Sequence, residues 1–326
     1  MSLKKLSGIV AAGILAVLLA GCGGDKKSED AAGGGEAKPR VAVIPKGTTH
    51  VFWKSVEAGA KQAGEEFGLD VIWKGPMKED DRASQIQMVE QFISEGVAGI
   101  VLAPLDKQAL MVPVQSAKEN KIAMVIFDSV LDGNDFSSFV ATDNKAAGKL
   151  GGDHLAKLLG GHGKVVLLRY IEGSASTMQR EEGFLEAMAA NPGITVISKD
   201  QYAGATSSSA KDRAMNMLDT LKEADGIFAP NESSAAGMLL ALQDTGLAGK
   251  KMFVGFDASE MLLQGLANGE IMGLVAQNPT KMGYTAVKTM AAVLKGEKVD
   301  AVIDTGCALI TKENMETPEI KSILGK

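Results

Sequence analysis

An α/β plan of two doubly wound parallel-sheet lobes is predicted by three features of the 326-residue sequence. From Arg40 onward, short β-branched runs alternate with segments of roughly fifteen residues at helical spacing. The runs are apolar throughout rather than at every second position, as strands require in a parallel sheet covered on both faces. The alternation then restarts after a helix-rich join, which gives two similar halves without a Pro/Ser linker between them.

The elements follow in order. Arg40-Val-Ala-Val-Ile-Pro45 reads as the first strand and Phe52 to Phe67 as its helix. Leu69 to Trp73 and Arg82 to Glu95 repeat the unit. Strands at Gly99–Ala103, Ile122–Phe127 and Ser138–Ala141 complete the first half, with a helix at Lys107–Glu119 between the first two. In the second half strands fall at Lys164–Arg169, Ile194–Ser198, Gly226–Ala229, Met252–Phe256 and Gly273–Ala276, with helices between them. Gly, Pro and Asp punctuate the joins, as turns require.

Composition bounds the function. Hydrophobic residues at 45% and charged residues at 23% fit a folded soluble body, and the length favours two domains. Lys and Arg number 34 against 40 Asp and Glu, and a net charge of −6 offers no general attraction to phosphate backbones, so nucleic acid is not an expected partner. The two cysteines, Cys22 and Cys307, make neither a disulfide framework nor a cysteine zinc site.

Residues 1–21 carry Lys4 and Lys5, then an apolar stretch and small residues, the pattern of a secretory signal. Leu19-Ala20-Gly21-Cys22 resembles a bacterial lipobox, which implies cleavage before Cys22 and acylation of that residue. Residues 23–39 hold no large apolar side chain, so 22–39 is expected to be a flexible tether of about 20–25 Å. The expected location is the periplasm or cell envelope, lipid-anchored at the outer or plasma membrane. Gly23 in place of a retention Asp points to the outer one.

In doubly wound sheets ligands bind beyond the carboxyl ends of the strands. After the first strand comes Lys46-Gly-Thr-Thr-His50-Val-Phe52-Trp53, where two aromatics either stack on a sugar ring or begin the helix core. Asp128 follows the fourth strand, and Arg180 lies one turn into a helix whose start, Gly173-Ser-Ala-Ser-Thr177, offers capping hydroxyls. Asn231 and Glu232, Asp257 and Gln277 follow later strands. Taken singly each is an ordinary turn residue. Together Asp128, Arg180, Asn231, Asp257 and Gln277 form a hydrogen-bonding ring able to satisfy the vicinal hydroxyls of a small polyol.

These residues carry a resemblance. His50-Val-Phe52-Trp53, Gly99-Ile-Val-Leu-Ala-Pro104, Val125-Ile-Phe-Asp128, Ala141-Thr-Asp143-Asn144 with Gly148, Arg180-Glu-Glu-Gly183-Phe184, Phe228-Ala-Pro-Asn231-Glu232, Val254-Gly-Phe-Asp257 and Ala276-Gln277-Asn-Pro279 stand in the order of the ribose-binding-protein family. These are the type I periplasmic solute-binding proteins of ABC importers, and the match runs from Val41 to Met315. The resemblance implies two lobes joined by three hinge crossings, near Asp143, Gln277–Asn278 and Thr305–Gly306. The N-terminal lobe would comprise 40–142 plus 278–305, and the C-terminal lobe 143–277 plus 306–326. It implies a sugar or polyol held by Phe52, Trp53, Asp128, Asn231, Asp257 and Gln277, and delivery to an ABC permease. His50 stands where the family commonly has Asn, which admits a pH dependence. Two departures concern guanidinium groups: a ribose-touching Arg of the family aligns with Met178, and the Arg after Asp128 is Ser129. Lys46 or Lys74 is then the candidate replacement cation.

Catalytic signals are sparse. Gly160-Gly-His-Gly163-Lys164 lacks the Ser/Thr and spacing of a phosphate loop, and neither G-x-G-x-x-G after a strand nor G-x-S-x-G occurs. His50, His154 and His162 are dispersed, the sixteen Met residues read as core filler, and Cys307 reads as a small buried apolar residue. No enzyme, cofactor or metal is expected, and the body is expected to be a monomer. The alternative role is a receptor that presents a sugar, or a quorum signal such as autoinducer-2, to a membrane sensor. The lactose repressors share this fold but begin with a DNA-binding motif where this chain has a signal.

Overall fold

A computed structural model describes residues 37–325; the predicted signal, Cys22 and nearly all of the tether lie outside the described residues. In the first half, β1 (Arg40–Ile44), α1 (Val51–Phe67), β2 (Asp70–Trp73), α2 (Arg82–Ser94), β3 (Gly99–Leu102), α3 (Met111–Glu119), β4 (Ala123–Phe127) and β5 (Ser138–Ala141) follow one another. The second half runs through α4 (Asn144–Leu158), β6 (His162–Arg169), α5 (Ala175–Ala189), β7 (Gly193–Tyr202), α6 (Ser207–Asn216), α7 (Leu218–Glu223), β8 (Gly226–Phe228), α8 (Glu232–Asp244), β9 (Met252–Phe256), α9 (Glu260–Ala267) and β10 (Gly273–Gln277). The chain ends with α10 (Pro279–Leu294), β11 (Val302–Asp304), β12 (Cys307–Ile310) and α11 (Pro318–Ile323).

The strands form two six-stranded sheets, ordered β11-β5-β4-β3-β1-β2 and β12-β10-β9-β8-β6-β7. Neighbours pair in parallel throughout except β12, which runs antiparallel to β10. Apolar continuity in the strands has the expected cause. Alternate residues of the first sheet face opposite sides: Val41, Val43, Val101, Val125 and Phe127 pack under α1 and α10, while Ala42, Ile44, Ile100, Leu102 and Ile126 pack under α2 and α3. The second sheet repeats this, with Val165, Leu167, Phe228, Val254 and Phe256 beneath α4 and α5, and Val166, Leu168, Ile227 and Phe253 beneath α6, α8 and α9.

The chain passes between the sheets three times. After β5 it enters α4, which packs on β8, β9 and β10; after β10 it enters α10, which returns to β3, β4 and β5. The third passage joins β11 of one sheet to β12 of the other. Each exchanged helix seats on its partner through glycines. A Cβ at Gly148 of α4 would lie 2.0 Å from the Arg180 carbonyl oxygen, and one at Gly183 of α5 would lie 2.0 Å from that of Lys145. Gly59 and Gly283 play the same part between α1 and α10.

Several expected boundaries shift. The helix expected from Lys107 begins at Met111, because the Asp106 carboxylate accepts from Gln108 and Ala109 N–H and holds residues 107–110 as turns. The strand expected to end at Ser198 extends to Tyr202 as an edge strand with register shifts against β6. The strands β11 and β12 were not anticipated. Methionine is split: Met124, Met188, Met238, Met282 and Met290 are core residues, whereas Met77, Met111, Met178, Met215 and Met261 are exposed. Cys307 is only half-buried, and burial pushes its thiol pKa up.

Candidate ligand-binding site

The carboxyl ends of both sheets face each other, and between them lies a narrow polar cavity of about 20 Å³. All eight side chains singled out from the sequence line it: His50, Phe52, Trp53, Asp128, Arg180, Asn231, Asp257 and Gln277. Lys46, Glu79, Ser176, Thr177 and Glu232 complete the wall.

The two aspartates occupy equivalent places. Asp128 leaves β4 and Asp257 leaves β9, third in their respective sheet orders. Both adopt left-handed backbone, with φ of 60° and 67°, and both donate their N–H to the neighbouring strand, at Val140 and Val275. Such conformations cost a non-glycine residue about 1 kcal/mol or more, and they turn each carboxylate back over its strand end into the cavity.

Charges in the wall are paired. Lys46 and Asp128, 3% and 4% exposed, meet at 2.8 Å between Nζ and Oδ2. The Lys46 ammonium also donates to the hydroxyls of Ser176 at 2.9 Å and Ser174 at 3.3 Å, on the side of the second sheet. Asp128 Oδ2 has this ion-pair partner and no hydrogen bond of good geometry, so the carboxylate retains accepting capacity. Asp257 is more engaged: Oδ1 accepts from Gln277 Nε2 and Oδ2 from the Glu232 N–H, each at 2.8 Å. Burial raises its pKa to about 6, against the opposing charge of Arg180.

Arg180 is the buried keystone of the floor. Its guanidinium lies 3.9 Å over the Phe256 ring, donates Nε to Asn144 Oδ1 at 2.8 Å and Nη1 to the Pro230 carbonyl at 3.0 Å. Asn144 in turn donates to the Asp128 carbonyl at 3.3 Å. Asn231 caps α8, accepting from Ser234 N–H. Phe52 and Trp53 begin the helix core, meeting edge to face at 4.9 Å in the core of the first sheet, and both also line the cavity.

Glu79 was not found from the sequence. It lies in the loop after β2, in the charged run Lys78-Glu79-Asp80-Asp81-Arg82, and only the fold singles it out. Its Oε1 accepts from Trp53 Nε1 at 2.7 Å and lies 2.7 Å from His50 Nδ1, while Oε2 accepts from the Tyr170 hydroxyl at 3.0 Å. Burial alone would lower the His50 pKa, but the Glu79 charge more than reverses this and raises it to about 9. Burial likewise disfavours the Glu79 anion, yet His50 draws its pKa down to about 2. His50 is therefore a cation at neutral pH, and its titration is displaced into the alkaline range.

The two departures at guanidinium positions read differently in three dimensions. Met178 is exposed and lines an outer groove beside Lys107 and Arg169, so its side chain has no bearing on the cavity. Ser129 is fully buried and its hydroxyl accepts from the Ser176 N–H at 2.9 Å. Of the two candidate cations Lys46 lines the cavity, whereas Lys74 donates to Gln91 on the surface. Ser174 does not cap α5 as expected; its hydroxyl instead accepts from Lys46 Nζ. Among the described residues no group of three or more His, Cys, Asp or Glu is arranged to hold a metal ion.

Paired α/β units, three crossings and a polar cavity bounded by both define the class of a bilobal solute receptor. Residues 41–298 match the model of the periplasmic binding protein domain, and the chain belongs to that family, in its type I, ribose-binding-protein-like form. The ribose import binding protein RbsB of Salmonella typhimurium is 28% identical over 313 residues, spanning 96% of this chain and 100% of that protein. A carbohydrate transporter solute-binding protein from Agrobacterium radiobacter, solved with D-arabinose, superposes with a TM-score of 0.85 at 35% identity, covering 88% of this chain and 99% of the other. A solute-binding protein from Agrobacterium vitis with bound D-fucose gives 0.83 at 34% identity, over 86% and 98%. These relatives are binding proteins of transporters rather than enzymes.

Proposed function

We propose that this chain captures an uncharged monosaccharide or related polyol in the cavity between its sheets and delivers it to the permease of an ABC importer. The observation that carries this reading is the convergence of eight side chains, from strand ends and from the helix starts that follow strands in both sheets, on one cavity. Asp128 and Asp257 accept from ligand hydroxyls, Asn231 and Gln277 serve as amide partners, and Phe52 with Trp53 forms the apolar wall. Two of the three cations of the wall are paired within it, Lys46 by Asp128 and His50 by Glu79, and the third, Arg180, is opposed by the charge of Asp257, which favours a ligand without net charge.

The lobes we assign are 40–142 with 278–305 and 143–277 with 306–326, hinged at the three crossings. A ligand that touches both lobes stabilises the closed arrangement, and closure creates the surface that a permease reads. Acylated Cys22 and the 22–39 tether hold this body at an envelope membrane. The test is a thermal-shift screen of D-ribose, D-arabinose and D-fucose against uronic acids and amino sugars. A cognate sugar at 100 times its dissociation constant adds about 2.7 kcal/mol of stability. Stabilisation confined to charged sugars, or none across the panel, removes the reading.

A further inference from the structure

The first N–H groups of a helix have no partner within it, and they mark the positive end of its dipole. In α1 the residue at the N-cap, His50, commits its imidazole to Glu79 and makes no cap bond. The acceptor comes instead from across the cleft. Glu232, the first residue of α8, accepts the Val51 N–H on Oε1 at 3.1 Å and the Phe52 N–H on Oε2 at 2.9 Å. Both oxygens are thus engaged by backbone that belongs with the first sheet, while the main chain of Glu232 belongs with the second. That main chain is anchored in the cavity wall, because the Glu232 N–H donates to Asp257 Oδ2, and Asp257 is held in turn by Gln277.

We infer that Glu232, although it lines the cavity, acts as a closure latch: a positioning residue whose two carboxylate oxygens are both taken by the start of α1, so that it ties α1 to the opposite lobe and sets sugar affinity through the open–closed equilibrium. The inference rests on the sugar-binding reading above. Ligands that bind the closed form have apparent affinities scaled by the fraction of protein in that form. Loss of the latch therefore weakens every ligand by one common factor and leaves their ranking intact. A residue that contacts ligand changes the ranking, because sugars differ in the hydroxyls they present. Two hydrogen bonds to a charged acceptor at a helix dipole make the common factor about tenfold.

The experiment compares the parent with Glu232→Ala and Glu232→Gln. Calorimetry measures D-ribose, D-arabinose and D-fucose, and pulsed EPR measures the distance between spin labels at Lys118 and Asp219 in a Cys307→Ser background. The alanine variant is expected to lose about tenfold for each sugar bound by the parent and to shift the apo distance distribution toward the open form. Glutamine, which keeps one acceptor, is expected to fall between. Unchanged affinities, factors that differ by more than about threefold among sugars, or an unaltered distance distribution each overturn the latch. If the parent binds none of the three sugars, the functional reading fails, and the EPR distances alone decide the latch.

Discussion

Glu79→Gln separates the buried ion pair at the cavity wall from the effect of burial. Glutamine keeps the shape and a carbonyl acceptor but removes the charge that holds the His50 imidazolium at 2.7 Å. A histidine with a folded pKa raised to about 9, above its ordinary 6.5, contributes stability that is complete below pH 6.5 and is lost as pH rises through 9. A carboxylate depressed from 4.5 to about 2 contributes stability that is complete above pH 4.5 and is lost as pH falls through 2. Both shifts describe one interaction, so they are counted once, as a plateau between pH 4.5 and 6.5. The His50 shift corresponds to roughly 3 kcal/mol on that plateau. The assay is urea unfolding followed by tryptophan fluorescence; Trp53 and Trp73, the only two, both lie with the first sheet. The stability gap between parent and variant is expected to be about 3 kcal/mol wider at pH 5.5 than at pH 9.5. Groups that titrate alike in both proteins cancel in that comparison. A gap of equal size at the two pH values refutes the reasoning.

Three other outcomes follow from the same geometry. Asp128→Asn strands the buried Lys46 ammonium and is expected to cost about 3 kcal/mol in urea unfolding; adding Lys46→Met restores stability but not sugar binding. Gly148→Ala places a methyl against the Arg180 carbonyl and forces α4 from α5, with an expected loss of about 1–3 kcal/mol by thermal unfolding. Asp257, with its pKa raised to about 6, is favoured in its charged form by a donating sugar hydroxyl, so calorimetric affinity is expected to rise between pH 5 and pH 7 and to be flat in Asp257→Asn.

Much of this molecule is legible in its sequence, for identifiable reasons. Strands covered on both faces must be apolar throughout, and Val41 to Ile44 or Val165 to Leu168 show that without an alignment. Strand ends are equally visible, so Asp128, Asn231, Asp257 and Gln277 are found by position alone. The pairing of Glu79 with Tyr170 is not, because it spans 91 residues and depends on how two halves face each other, although Tyr170 itself directly follows β6. Lys46 is visible as a cation near the site, but its tie to Ser174 and Ser176 appears only when the second half is placed against the first. The last strands, β11 and β12, escape because each is a short edge strand: β11 is a three-residue strand beside β5, and β12 a four-residue strand paired with β10. Met178 marks a limit of the resemblance: it stands where the family has a ribose-touching Arg, yet its side chain is exposed and lines the outer groove.

The central claim, that a sugar is held between the two sheets by groups from both, is tested most directly by calorimetry. The sugar selected by the thermal-shift screen is titrated into the parent, into Asp128→Ala from the first sheet and into Asp257→Ala from the second. Binding of one sugar per chain to the parent, and loss of at least about a hundredfold in each variant while the circular dichroism is kept, is the predicted result. Parental affinity in either alanine variant contradicts the account.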